Sequence, residues 1–176
     1  MNNLDLIIGN LCTLLAMGGN AISSTRKTAK GVLMMQTLSQ VIYCISGIVL
    51  KGYSASVQNV VSILRNIAAI RKINSKVLEW VLVALGLILG IVFNNRGLVG
   101  LLPVLGNLQY TLVIFRFPDR QRTLKISFLI SVLSFAVFNI VLWNFVGVAS
   151  DLFVSITTAL MLIREKKAAT AESTRS

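Results

Sequence analysis

The chain has 176 residues, of which 55% are hydrophobic and only 13% are charged, and its net charge is +11. A water-soluble domain of this length cannot cover so much apolar surface with polar side chains, so the composition excludes a soluble globular protein. The basic residues lie in short loops between apolar runs and form no basic stripe, which argues against a nucleic-acid partner. The absence of histidine excludes histidine-based catalysis and metal binding.

Seven apolar stretches follow one another along the chain, each near the ~20 residues that a helix needs to cross a bilayer. They cover residues 4–22, 32–50, 54–70, 77–93, 98–115, 126–142 and 145–163. The third is the most polar, because it contains Gln58, Asn59, Ser62, Arg65 and Asn66. A lipid-exposed strand would leave backbone groups unpaired, so we predict seven transmembrane α-helices and an all-α polytopic membrane protein.

The charges of the loops predict the orientation of these spans. If all seven cross, every lysine and arginine except Lys51, Arg65 and Arg96 falls on one side or in the C-terminal tail of that side. Basic loops favour the cytoplasm, so we expect the N-terminus outside and the C-terminus inside. Span three must then cross, because the basic loops before span two and after span three share a side only if span three returns the chain.

Seven spans divide into two triplets joined by one helix. The odd fourth span gives the second triplet the orientation of the first, as in a parallel repeat about an axis normal to the membrane. We therefore predict a three-helix repeat over residues 1–72, a linker helix over 73–97 and a second three-helix repeat over 98–167. Residues 168–176 are small and polar, which predicts a disordered cytoplasmic tail.

Spans three and seven, which hold the same place in the two triplets, each carry a polar face. Polar residues in both are spaced i, i+4 and i+7, which puts them on one side of a helix. They are Gln58, Ser62 and Arg65 in span three, and Asp151, Ser155 and Thr158 in span seven. A charge at this depth is costly and normally faces an interior or a water-filled cavity, so we predict a site between the triplets.

Two alternatives stay open for this polar face. The hydroxyl groups of Ser62, Ser155 and Thr158 are of a kind that also joins helices in membranes without any binding role. The alternative for Arg65 is that its long side chain extends to the cytoplasmic headgroup region. A direct salt bridge between Arg65 and Asp151 and two separate charges flanking a polar site fit the spacing equally well.

Helix-breaking residues mark two further positions. Pro103 lies five residues into span five and is expected to remove one backbone hydrogen bond and allow a kink. Gly18 and Gly19 are expected to let span one bend near its cytoplasmic end.

Several of these residues resemble the YgjV-type bacterial inner-membrane proteins. The resemblance lies in the run from Ser62 to Arg65, the run Leu-Leu-Pro-Val-Leu-Gly from residue 101 to Gly106, and two single positions, Asn139 and Asp151. It implies a place in the bacterial inner membrane, with Arg65, Pro103, Gly106, Asn139 and Asp151 as matching positions. The chain departs from that pattern at Ser62, where the family has asparagine, and at Phe138, where it has histidine.

The three-one-three layout is similar, more distantly, to the SWEET, PQ-loop and PnuC transporters. Only the architecture supports this likeness, since the Pro-Gln pair is absent: Pro103 precedes Val104 and Pro118 precedes Asp119. The likeness favours transport of a small polar solute, although fold alone does not fix function.

Together these features predict a small-solute transporter or facilitator of the inner membrane, in contact with the lipid bilayer and without metal or cofactor. Its site would include Gln58, Ser62, Arg65, Asn139, Asp151, Ser155 and Thr158, with Arg65 on an anionic group of the solute and Asp151 on a cationic or hydroxyl group or a coupling proton. The alternative is a receptor or scaffold of the same fold that binds without transport. An enzyme is disfavoured, because the chain has no histidine and no paired carboxylates. The sequence does not define the solute or the oligomeric state.

Overall fold

The predicted spans form seven α-helices in the computed structural model, which describes residues 3–26, 28–73 and 75–173. They are α1 (Asn3–Thr25), α2 (Ala29–Val49), α3 (Tyr53–Ile70), α4 (Lys76–Val92), α5 (Leu102–Arg116), α6 (Gln121–Val141) and α7 (Phe145–Ser173), with a 3₁₀ segment, Gly97–Leu101, directly before α5. Each helix overlaps one predicted span, and the all-α prediction is confirmed.

Three of the helices end in the same tight turn. Lys51, Lys72 and Trp143 follow α2, α3 and α6 with φ angles of 56°, 55° and 57°, in the left-handed region. In each case the next N–H donates back to a carbonyl five residues earlier, as from Gly52 to Gly47 at 2.8 Å. This motif satisfies the last carbonyls of a helix and reverses the chain within a few residues. It is the reason that α2–α3 and α6–α7 are close antiparallel neighbours.

Five segments are long and apolar enough to cross a membrane, namely those of α1, α2, the 3₁₀ segment with α5, α6 and α7, among the residues that the structure describes. The other two helices fall short for different reasons. α3 is more polar, while α4 has 17 residues and spans about 26 Å, less than the ~30 Å of a bilayer core. The crossing of these two helices, and with it the orientation of the termini, stays a prediction.

The distribution of side chains is inverted relative to a water-soluble protein. Within the described residues, polar side chains such as Gln58, Arg65 and Asn66 are fully buried, whereas large apolar ones such as Leu64 and Ile88 are exposed. Lipid solvates apolar side chains, so a bundle of this kind faces its polar groups inward. α3 follows this rule, because its polar face is buried and its apolar face is exposed.

Six helices form a closed ring, with α4 on its outside. Along the ring, α1 packs against α2, α2 against α3, α3 against α5, α5 against α6, α6 against α7, and α7 back against α1. α4 packs against α3 and α5. Consecutive helices are thus neighbours within each predicted triplet, and α4 joins the two. The rotational repeat is a statement about superposition, and it stays a prediction.

α4 is attached through two glycines one turn apart. Gly86 and Gly90 are buried, and a Cβ on Gly90 would lie 2.6 Å from both Gln58 Nε2 and Val104 Cγ2. Small residues at this spacing let helix backbones approach closely in membranes. At the other end of α4, Glu79 Oε1 accepts a hydrogen bond from Arg116 Nε at 3.2 Å, which ties α4 to α5.

Two expectations about breaks in the chain differ from the structure. Pro103 does not kink a continuous helix: the segment before it is 3₁₀, and Pro103 lies in the first turn of α5. Its missing N–H costs nothing there, because the first N–H groups of a helix have no partner within the helix. α1 runs without interruption through Gly18 and Gly19, and Gly19 lies against the Ser39 side chain of α2. Bending at these glycines stays a prediction.

The C-terminal tail also differs from its prediction. Residues 168–176 were expected to be disordered, but α7 continues to Ser173. Alanine, lysine and glutamate dominate residues 165–172, and these are strong helix formers, so helix propensity outweighs polarity here. Residues 174–176 lie outside the described part of the chain.

The glycine contact of α4 predicts a difference between two alanine variants. Gly90→Ala should lower the melting temperature in detergent, since the added methyl group meets two side chains, and overpacking costs about 1–3 kcal/mol. Gly18→Ala is the matched control, because a Cβ there meets nothing within 4 Å and alanine favours a helix. Equal melting temperatures of the two variants would contradict this account of α4.

The charges of the loops on either side of α3 predict that this helix crosses the membrane. A periplasm-active reporter fused after Lys51 or Arg96 should be active, whereas fusions after Lys76 or Lys167 should be silent, because the basic loops then share the cytoplasm. Activity after Lys76 would show that α3 does not cross, and the three-one-three arrangement would fail with it.

Candidate functional site

A polar cavity lies inside the ring of six helices. Its volume is about 80 Å³, room for about three water molecules. Four of the predicted site residues line it: Ser62 and Arg65 from α3, Asn139 from α6 and Asp151 from α7. We call this space the inner cavity.

Arg65 is the most deeply buried charge of the described chain, with none of its surface exposed. Its Nη1 donates to Asn107 Oδ1 at 2.7 Å and to Thr111 Oγ1 at 3.2 Å, and its Nε donates to Asn66 Oδ1 at 3.1 Å. Its guanidinium carbon lies 4.5 Å from the centre of the Tyr110 ring, a cation–π distance. The Arg65 side chain therefore does not extend to the headgroup region.

The guanidinium of Arg65 lacks a counter-ion and one of its hydrogen bonds among the described residues. In the part of the chain that the structure describes, no carboxylate lies within 4 Å of it, and its Nη2 has no hydrogen-bond partner. A buried ion without a counter-ion costs several kcal/mol, because neither water nor an opposite charge offsets its desolvation. Amide oxygens and a ring face offset part of this cost only. Nη2 is thus a buried donor without a partner, on a residue that lines the inner cavity.

The amide of Asn107 fixes the geometry around Arg65. Its oxygen accepts from Arg65 and also from Ser62 Oγ at 2.6 Å, and its nitrogen donates to the Gln58 side-chain oxygen at 2.9 Å. Gln58 in turn donates to the carbonyl of Gly86 on α4 at 2.7 Å. We had predicted Gln58 as a site residue, but it is not among the described residues that line the inner cavity. It connects α3 to α4 and α5 instead.

Asp151 lines the inner cavity from α7. Its Oδ2 accepts from Asn139 Nδ2 at 2.8 Å, and the oxygen of Asn139 accepts from Asn144 Nδ2 at 3.1 Å. These amides orient the carboxylate as Asn107 orients Arg65. In the described residues no cation lies within 4 Å of Asp151. Arg65 and Asp151 are thus two charges on one cavity without a salt bridge between them.

Thr158 and Ser155 are placed elsewhere. Thr158 is buried but lines a second cavity, and Ser155 is buried with an Oγ that has no hydrogen-bond partner. Both lie on the predicted face of α7, Ser155 one turn and Thr158 two turns after Asp151. The helix runs away from the inner cavity over this distance.

The second cavity opens at the end of the bundle that carries the basic loops. It has a volume of about 430 Å³, and four basic residues surround it: Arg26, Lys30, Lys72 and Lys125. We call it the vestibule. Tyr110 and Phe128 line both the vestibule and the inner cavity, and their ring centres are 5.6 Å apart. This aromatic pair separates the two spaces.

An apolar cluster closes part of the opposite end of the inner cavity, beside the polar side chains of Ser46 and Asn144. Ala55, Phe138 and Leu142 form a buried cluster at the turns between α2 and α3 and between α6 and α7. Ala55 and Leu142 also line the inner cavity, so this cluster is its end wall. Phe138, where the resembling family has histidine, contributes apolar packing to that wall and no charge.

Several important residues were not among the predicted site residues. Asn107, Tyr110 and Thr111 are spaced i, i+3 and i+4 on α5, which also places them on one helical face. Tyr43, whose hydroxyl is 2.9 Å from Ser150 Oγ, also lines the inner cavity and carries no such pattern. The described residues contain no group of three acidic or cysteine side chains that could hold a metal.

The chain was compared with known proteins. No curated protein and no solved structure matches it. A family model described as a bacterial inner membrane protein matches residues 7–169, which include every residue of the inner cavity. The resemblance seen in the sequence is confirmed, and the chain belongs to the Imp-YgjV family of bacterial inner membrane proteins.

Proposed function

We propose that this membrane protein is a transporter or facilitator for a small polar solute, which binds in the inner cavity. The observation that carries the proposal is the buried Arg65, which is one of the residues that line the inner cavity and whose Nη2 has no hydrogen-bond partner. A charge at this depth is costly, and in membrane proteins such charges mark solute or ion pathways. A purely structural arginine would be expected to find a carboxylate partner.

The position of the inner cavity supports passage across the membrane. It lies between the apolar end wall at one end and the aromatic pair at the other, inside the ring that α1–α3 and α5–α7 form. The vestibule beyond the aromatic pair gives a route to the basic end of the bundle. In alternating access one triplet would rock against the other, moving the barrier from the end wall to the aromatic pair. α4 contacts one helix of each triplet, α3 and α5, so its contacts would have to shift in this motion.

The proposal assigns binding and passage to the cavity and no chemical step. Asp151 is its one carboxylate among the described lining residues, and the chain has no histidine, so an acid–base pair is missing. A receptor or scaffold of the same fold is the second candidate. It would use the same charges for binding, and flux distinguishes it.

A substrate-independent flux assay tests transport. Proteoliposomes loaded with the small-molecule extract of uniformly ¹³C-labelled bacteria should release at least one polar solute faster than protein-free vesicles. Mass spectrometry of the external medium identifies that solute. Absence of any protein-dependent release in either membrane orientation would contradict transport and favour the receptor.

The Asp151→Asn variant should lose most of this release, by roughly tenfold or more, while its melting temperature stays near that of the wild type. The substitution removes the charge but keeps an oxygen that accepts from Asn139. Glu165→Gln is the matched control, because its exposed ion pair with Lys125 contributes little. Wild-type release by Asp151→Asn would remove Asp151 from the site.

A further inference from the structure

We infer that the solute of the inner cavity is a small zwitterion, with its anionic group at Arg65 and its cationic group at Asp151. This inference rests on the proposed function, since it names the class of solute for the same site. It is carried by two charges of opposite sign that line one cavity and do not pair with each other.

The anionic subsite is the free edge of the Arg65 guanidinium. Nη1 and Nε are engaged by Asn107, Thr111 and Asn66, which hold the group rigid, while Nη2 has no partner. A carboxylate is the common small acceptor that matches a guanidinium donor and also neutralises its charge. The ring of Tyr110 covers one face of the guanidinium, and a carboxylate accepts from the N–H groups in the plane of the group.

The cationic subsite is the carboxylate of Asp151. Asn139 occupies one hydrogen-bonding position of Oδ2, and a carboxylate has about four such positions. Tyr43 also lines the cavity and adds a hydroxyl. An ammonium group would donate to the remaining acceptor positions and supply the counter-ion that Asp151 lacks among the described residues.

The two charges together exclude the simpler classes of solute. An anion drawn to Arg65 would be repelled by Asp151 across a cavity of about 80 Å³, and a cation drawn to Asp151 would be repelled by Arg65. A neutral polar solute would leave both charges uncompensated. A zwitterion neutralises each charge where it lies, and the volume restricts it to a solute of few heavy atoms.

Binding to the purified full-length protein tests the class of solute. Three sets of probes are compared at equal concentration by thermal shift and calorimetry: glycine, serine and β-alanine as zwitterions, acetate and propionate as anions, and methylammonium and ethylammonium as cations. The zwitterions should raise the melting temperature, and neither single-charge set should match them. Equal stabilisation by an anion or cation alone, or none by any zwitterion, would overturn the inference.

Two charge-removing variants make the assignment of subsites specific. Asp151→Asn should reverse the preference, so that acetate or propionate binds at least as well as the zwitterions. Arg65→Gln should shift the preference towards the cations. A purely structural role would lower stability without reversing selectivity, so loss of all binding differences in a folded Asp151→Asn protein would contradict the assignment. Arg122→Lys, at an exposed position in the first turn of α6, is the control that should leave selectivity unchanged.

The experiments give different results if the solute is not a zwitterion and if the protein does not transport. Selective binding of a zwitterion without release from proteoliposomes would keep the class and reject transport. Release of only anions, cations or neutral solutes, sensitive to Asp151→Asn, would keep transport and reject the zwitterion.

Discussion

The charge of Arg65 is the constraint on which the rest of the interior depends, because the fold removes it from water and lipid while the described residues supply no carboxylate beside it. Its cost is met in part by Asn107 and by the ring of Tyr110. Asn107 holds its position through Gln58, and Gln58 through the backbone of α4. The glycines of α4 therefore support the site from outside the ring, although no part of α4 is among the described residues that line the cavity.

Hydropathy was enough to predict where most of the helices lie, because an apolar stretch of this length has few alternatives to a membrane helix. The polar third span was predicted only with the help of the loop charges. The predictions for Pro103 and for the C-terminal tail were wrong because each depends on which of two local structures is more stable. At Pro103 the sequence shows a helix breaker, but whether it kinks a helix or begins one depends on the 3₁₀ segment before it. The tail was expected to be disordered from its polarity, whereas its alanines extend α7 to Ser173. The close contact of Gly90 was not predicted, because glycine is common in membrane helices for several reasons.

The polar residues at depth were the informative part of the sequence for the site. Arg65 and Asp151 stood out because a charge inside a span is costly, and the structure brings both to one cavity. Gln58 shares the helical face of Arg65 but bonds to α4, since the sequence does not say which helix lies beside each turn of that face. For Thr158 and Ser155 on α7 the sequence likewise predicted the helical face but not what lies beside each turn of it. Asn107 was visible as a polar residue in span five, yet its role requires the packing of α5 against α3.

The central claim is that Arg65 and Asp151 are independent charges and not a salt bridge, and a double-mutant cycle on unfolding free energy measures this most directly. The cycle uses Arg65→Gln, Asp151→Asn and the double variant, in one detergent and without added solute. Two charges that share a cavity without touching predict a coupling near the low end of the range for such pairs, about 0.5 kcal/mol. A buried salt bridge predicts that each single variant loses about 3–5 kcal/mol and that the double variant recovers much of it. Recovery of that size would contradict the account, because the two charges would then satisfy each other and need no solute.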